Sequence, residues 1–462
     1  EKLGHDLKAA LGPLARAGLP VRGPLADTYL AAYCADPGRS KYPFADLLGR
    51  CAGLSLPPDG DARRSAERQA AHLWALEGKT FFSGVRLLPA GTMLTSGGEQ
   101  RFFRHERRPE DRSIESWSAG IVETLSTSVS RAVAPGVACH LSGGIDSSAV
   151  AVFAANALGA PPLCLASSFP DFPDQQEIEY GRIVANSIGT ELLEVPIRGT
   201  DTSNVLRDLI LALEEPKCHP PVLARYLLEA AASERSCRRV LTGRGADELF
   251  TGYDSHAAEQ LADHRHRRTV PDLLTLLRPE FIAAVGYDVE LAYDEVFESC
   301  SGETLLDRVL AFDSRTLLAN WMVIDAKISQ SFGLECVAPF LDKPMIDLAL
   351  RIPDEYLLAN GQLKGLVKLS LRGILPDAVL DRPKIGFRTP FGEMLRLGAE
   401  PFTRDALAPG QSIFWDWFDP RSVAQVLDAH FSGARNFGWQ LWALLCVREW
   451  TRIYLEEGKG RE

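Results

Sequence analysis

Ser142-Gly143-Gly144-Ile145-Asp146-Ser147-Ser148 lies between an apolar run at 137–141, short enough for a buried strand, and a helical stretch at 147–158 closed by Gly159. The two successive glycines let backbone N–H groups turn inward around an anion. The hydroxyls of Ser142, Ser147 and Ser148 add donors, and the helix that follows presents its positive end. Such a turn is a phosphate cradle. It is not a G-x-x-x-x-G-K-[ST] loop, because it carries no lysine and is too short, so kinase-type transfer of a γ-phosphate is not implied. Asp146 would repel phosphate unless a cation stood between them, and Mg2+ is the natural choice.

Strand and helix patterns alternate outward from this turn. Upstream, Ile114, Trp117, Ile121, Leu125 and Val129 recur at helical spacing behind a capping Ser113, and Pro135 ends the helix. Downstream, strands are expected at 163–167, 191–195 and 239–242, with helices at 175–188, 205–213 and 222–232. The fold class is therefore α/β: a parallel sheet wrapped by helices on both faces, with its ligand beyond the carboxyl ends of the strands. Past Tyr253 the pattern is helical, and Trp439, Trp442, Cys446, Trp450 and Ile453 predict one core-facing stripe on the last helix. The first hundred residues, with Pro/Gly punctuation at 53–60 and a strand-like run at 80–94, predict a smaller β-containing domain. The boundary is set at 1–110 and 111–462.

Bulk properties bound the function. A chain of 462 residues is too long for one simple core, and 46% hydrophobic with 24% charged residues is ordinary globular composition. The net charge of −11 offers no general field for nucleic-acid phosphate, and the basic cluster at 264–268 reads as a solvated turn. Apolar stretches are broken well before a membrane-spanning length and no secretory signal opens the sequence, so a cytoplasmic protein without membrane or nucleic-acid partners is expected. Nine scattered cysteines with no C-x-x-C suggest neither a disulfide framework nor a zinc site.

The turn is similar to the S-G-G-x-D-S signature of the pyrophosphate-releasing ATP loop in asparagine synthetases, GMP and argininosuccinate synthetases and tRNA-modifying relatives. Four further stretches resemble the asparagine synthetase family in the same order. Gly243-Arg244-Gly245-Ala246-Asp247-Glu248-Leu249-Phe250 resembles G-x-G-A-D-E-L-F. E-C-V-A-P-F-L-D at 335–342 resembles E-x-R-x-P-F-L-D, and D-R-P-K-I-G-F at 381–387 resembles the lysine-bearing R-x-K-x-x-F loop. Residues 81–91 resemble the last hairpin of that family's N-terminal glutaminase-like domain. The resemblance implies an adenine-nucleotide α-hydrolase-like synthetase domain that joins ATP to a carboxylate and expels pyrophosphate. It also implies one Mg2+ shared by Asp146 and Asp247. By the same resemblance Lys384 reaches pyrophosphate or the tetrahedral oxyanion, Lys364 is a further phosphate contact, and Gly243 lines the nucleotide. Ser168, at an expected strand end, borders the adenine. Glu335, in an apolar run, is a candidate proton acceptor or else a buried partner for an arginine.

Two departures refine the expectation. Family members that strip ammonia from glutamine open with a catalytic cysteine, whereas this sequence opens at Glu1 and its first cysteine is Cys34, so the N-terminal domain is expected to be a degenerate glutaminase scaffold. Arg244 stands where asparagine-forming members carry glutamate and β-lactam-forming members carry tyrosine. A guanidinium cannot act as a base, but it can hold oxygens bidentately or stabilise an oxyanion. Both departures point toward the lasso-peptide macrolactam cyclases, which adenylate an Asp or Glu side chain of a precursor peptide and close the ring with its α-amine. A precursor peptide, a leader-recognition protein and a leader peptidase would then be the partners. An asparagine or β-lactam synthetase acting on a small molecule, and a silent ATP-binding scaffold, are the alternatives.

Overall fold

The computed structural model describes residues 2–4, 25–27, 78–81, 86–95, 98–172, 177–257, 273–285, 289–382 and 390–457. The chain divides into two compact units, Glu1–Gln69 with Ala75–Arg104, and Ala70–Trp74 with His105–Glu462. In the first unit Lys2–Gly4 pairs in parallel with Leu25–Asp27, and Thr92–Thr95 forms an antiparallel hairpin with Gly98–Arg101. Among the described residues of the expected 80–94 run, only the end is strand.

The second unit is built on five parallel strands: β1 (Val137–His140), β2 (Leu163–Ser168), β3 (Leu192–Pro196), β4 (Arg239–Leu241) and β5 (Glu335–Val337). Their order across the sheet is β3-β2-β1-β4-β5. The chain first winds from β1 outward to β3, then crosses back to place β4 on the other side of β1. Between β1 and β4 the direction of winding reverses, and at such a switch point the loops leaving the carboxyl ends part to form a crevice.

Helices cover the sheet where apolar periodicity predicts them. Helix α1 (Ile114–Ala132) starts at Ser113, whose side chain accepts from the Ser116 N–H at 3.2 Å, and it buries Trp117, Ile121, Leu125 and Val129 completely. Helix α2 (Ile145–Leu158) is apolar almost all round, as its position inside the fold requires, and Gly159 ends it in the left-handed conformation (φ 64°). Then come α3 (Ile178–Ser187), α4 (Asp201–Leu213), α5 (Pro221–Glu234) and, before β5, α6 (Ala319–Ser331). The final helix α7 (Gly438–Thr451) buries Trp442, Cys446 and Trp450, but Trp439 in its first turn is 40% exposed, so the expected stripe is shorter than its spacing suggests. The basic cluster at 264–268 lies outside the described residues. No helix among the described residues is long and apolar enough to cross a membrane.

Candidate active site

Strands β1 and β4 are neighbours in register, with Val137 opposite Arg239, Ala138 opposite Val240 and Cys139 opposite Leu241. Their carboxyl ends therefore release the 142–148 turn and the 242–248 turn side by side. The two backbones touch closely: a Cβ added at Gly243 would lie 2.7 Å from the Asp146 Cβ and from the Ser147 nitrogen. Only glycine fits there. Gly143 takes φ +81° against α3, where a Cβ would meet the Tyr180 Cβ at 2.7 Å. Within the turn the Ser147 hydroxyl donates to the Gly144 carbonyl at 3.1 Å, the Gly144 N–H donates to Ser142 Oγ at 3.3 Å, and the Ser142 and Ser147 hydroxyls are 3.1 Å apart. Ser148 is fully buried, and its hydroxyl finds no hydrogen-bond partner among the described residues.

Asp146 and Asp247 converge on one ammonium group. Lys364 Nζ is 2.6 Å from Asp247 Oδ1 and also pairs with Asp146 Oδ2. Burial by itself would lower the Lys364 pKa, but the two carboxylates outweigh it and hold the ammonium protonated well above its ordinary range. Lys364 has a left-handed backbone (φ 57°), a conformation that costs a residue with a side chain about 1 kcal/mol. Beside this pair, burial and then the Asp247 charge push the Glu248 carboxyl up to about 7, and it accepts from the Tyr253 hydroxyl at 2.7 Å.

Arg244 occupies the next position along the crevice. Its Nε donates to Asp325 Oδ2 at 3.1 Å, and its guanidinium lies 4.3 Å above the centroid of Trp321, both from α6. Asp325 is fully buried and also faces Arg225 Nε at 3.4 Å, while Arg225 pairs with the buried Glu229 at 2.5 Å. The ring of His140, at the end of β1, contacts Arg225; burial, then the charges of Arg225 and Arg244, drive its pKa well below the usual histidine range. Arg244 is thus the outer member of a buried group of two guanidiniums and two carboxylates. Trp321 packs edge-to-face with His219 (ring centroids 4.8 Å apart), and His219 with Trp439 (4.9 Å).

The asparagine synthase profile matches residues 120–452, which takes in the sheet, both turns and the helical part beyond them. The chain belongs to the asparagine synthase family. Within the family it is 24% identical over 396 residues to asparagine synthetase [glutamine-hydrolyzing] 1 of Bacillus subtilis (strain 168), covering 77% of this chain and 62% of that protein. Asparagine synthetase [glutamine-hydrolyzing] 3 of the same organism is 24% identical over 387 residues, with the same two coverages of 77% and 62%. The chain thus spans about three-fifths of the length of these relatives. An NMN synthetase structure from Francisella tularensis is matched over 61% of this chain and 100% of its own at 14% identity, with a TM-score of 0.23.

Not every residue expected at the site joins this asparagine synthase crevice. Glu335 does not: it starts β5 opposite Arg239, at the amino ends of the strands and therefore across the sheet from the turns. It is 54% exposed and is held by Arg239 Nη2 at 2.6 Å, so the apolar run around it does not desolvate it. Ser168 ends β2 at the carboxyl edge, next to β1. Lys384 lies outside the described residues. Sequence reasoning missed Arg225, Glu229, Asp325 and Trp321, because their spacing on α5 and α6 looks like that of any amphipathic helix. Arg382 stood within the quoted 381–387 motif but was given no role.

Proposed function

We propose that this chain uses ATP to cap a carboxylate with AMP, expels pyrophosphate, and passes the acyl group to an amine to form an amide. The observation that carries the reading is the convergence of Asp146 and Asp247 on the Lys364 ammonium beside the glycine turn. In this reading the N–H groups and hydroxyls of the 142–148 turn hold the phosphates, Ser168 borders the adenine, and Gly243 lets the second turn approach the nucleotide. The two carboxylates, here bridged by the Lys364 ammonium, are donors of the kind Mg2+ uses, typically one or two carboxylates along with substrate phosphates. Asp146 and Asp247 would hold it, and when bound it neutralises phosphate charge at the reacting centre. Lys364, already protonated and buried, stabilises the same charge, and Lys384 is assigned the pyrophosphate or oxyanion on the strength of its motif.

The substrate we infer is a precursor peptide, closed into a macrolactam between an Asp or Glu side chain and its own α-amine, as in the lasso-peptide cyclases. Arg244 supports this over asparagine formation, since a guanidinium clamped by Asp325 and Trp321 cannot remove a proton but can hold an oxyanion or a carboxylate. An α-amine with a pKa of about 8 is appreciably neutral near pH 7 and needs less help from a base. A leader-recognition protein and a leader peptidase complete the proposed assembly.

ATP–pyrophosphate exchange in magnesium buffer tests both levels. Exchange should depend on the linear core peptide and fall by about a hundredfold or more in Asp146→Asn and Asp247→Asn, in keeping with a metal contribution of several kcal/mol. Exchange driven by free aspartate would replace the peptide with a small molecule. No exchange with any carboxylate would leave a nucleotide-binding scaffold.

A further inference from the structure

The glycine turn has a second cation beside it that the ATP-loop motif does not include. The Arg382 side chain is only 7% exposed. Its guanidinium lies 4.7 Å above the Tyr180 ring of α3, and its Nη2 is 3.6 Å from Glu177 Oε1, beyond hydrogen-bond range. The same Nη2 approaches the turn, since a Cβ built on Gly144 would lie 3.8 Å from it. Nη1 is buried with no hydrogen-bond partner among the described residues. A buried guanidinium is charged at every working pH, and leaving its donors unmatched is costly unless an anion completes the fork. The Nη2 side of the guanidinium adjoins Gly144, the residue that caps the fourteen-residue helix α2 and from which its free N–H groups point outward.

We propose that Arg382 binds the two terminal phosphates of ATP, the pair that leaves as pyrophosphate, closing the glycine turn from the α3 side while Lys364 faces it from the β4 side. The assignment rests on the ATP-dependent reading above. Stacking on Tyr180 fixes the plane of the guanidinium, and Glu177, too far for a hydrogen bond, orients it without saturating it. A phosphate pair offers the planar, bidentate acceptor that this donor fork matches. Arg382 therefore touches the leaving group and discriminates ligands that carry the terminal phosphates from AMP.

The test is titration of the full-length chain with magnesium pyrophosphate and, separately, with AMP. In Arg382→Ala, pyrophosphate affinity should fall by about tenfold or more while AMP affinity stays within about twofold, and Arg382→Lys should recover part of the loss, keeping the charge without the fork. Unchanged pyrophosphate affinity in Arg382→Ala, or an equal loss for both ligands, overturns the assignment and leaves Arg382 a packing residue. Wild-type chain that binds neither ligand sinks the nucleotide reading itself, and this assignment with it.

Discussion

At the scale of the residue, the chemistry of the crevice depends on charges kept out of water. Arg225, Asp325 and Glu229 are buried and Arg244 partly so, and such a balanced set tolerates the loss of a member poorly, because the buried Arg225 left behind has no solvent to turn to. Asp325→Asn should therefore lower unfolding free energy by about 3–5 kcal/mol, read from the denaturant midpoint. A cost below about 1 kcal/mol would mean that water already reaches the cluster. Asp325 could not be found from the sequence. It sits mid-helix among Ile324, Ile328 and Ser329, and nothing in its spacing says that two arginines from elsewhere in the chain come to meet it. Arg244 was legible as unusual because its neighbours form a motif in which it is the odd member.

At the scale of the element, local rules set where several helices begin and end. Ser113 begins α1, Gly159 ends α2 with positive φ, and Pro221 opens α5, each for a reason written into one or two side chains. Ser113→Ala removes the acceptor for the Ser116 N–H and should cost about 1 kcal/mol, seen as a shifted urea midpoint with an unchanged slope. No shift would mean that water replaces the cap. Where a local rule failed, the cause was position along the element. Trp439 shares the period of Trp442 and Trp450 but lies in the first turn of α7, where it meets the His219 ring at 4.9 Å and stays 40% exposed. Glu335 likewise sits in an apolar run, yet it is the first residue of β5, where the side chain reaches water and Arg239.

At the scale of the whole molecule, folding fixes protonation as well as shape. His430 is completely buried, with Nε2 3.0 Å from the Gly392 carbonyl and Nδ1 accepting from the Phe437 N–H at 3.0 Å. That pairing demands the neutral ring, and burial followed by the Arg396 charge lowers its pKa to about 4. Between the ordinary value of 6.5 and about 4, the unfolded chain binds a proton that the folded chain refuses. The stability it contributes is full above 6.5 and is lost as pH falls through about 4, by at most about 3 kcal/mol. Melting temperature should drop across that window in the wild type and less steeply in His430→Gln. Parallel curves for the two proteins would assign the acid sensitivity to other groups.

The sequence by itself determined the strand-turn-helix grammar, the glycine turn, the two aspartate-bearing motifs and so the family, because each depends on residues within a few positions of one another. Only the tertiary structure brought the Asp146 and Asp247 carboxylates together on the Lys364 ammonium, where the resemblance had implied a shared cation. That convergence follows from β4 returning to pair with β1 after some hundred residues of chain, and no local pattern encodes which strand lies beside which. Other long-range contacts placed Asp325 and Trp321 around Arg244 and set Arg382 beside Gly144, and the pairing of β5 with β4 put Glu335 at the far edge of the sheet.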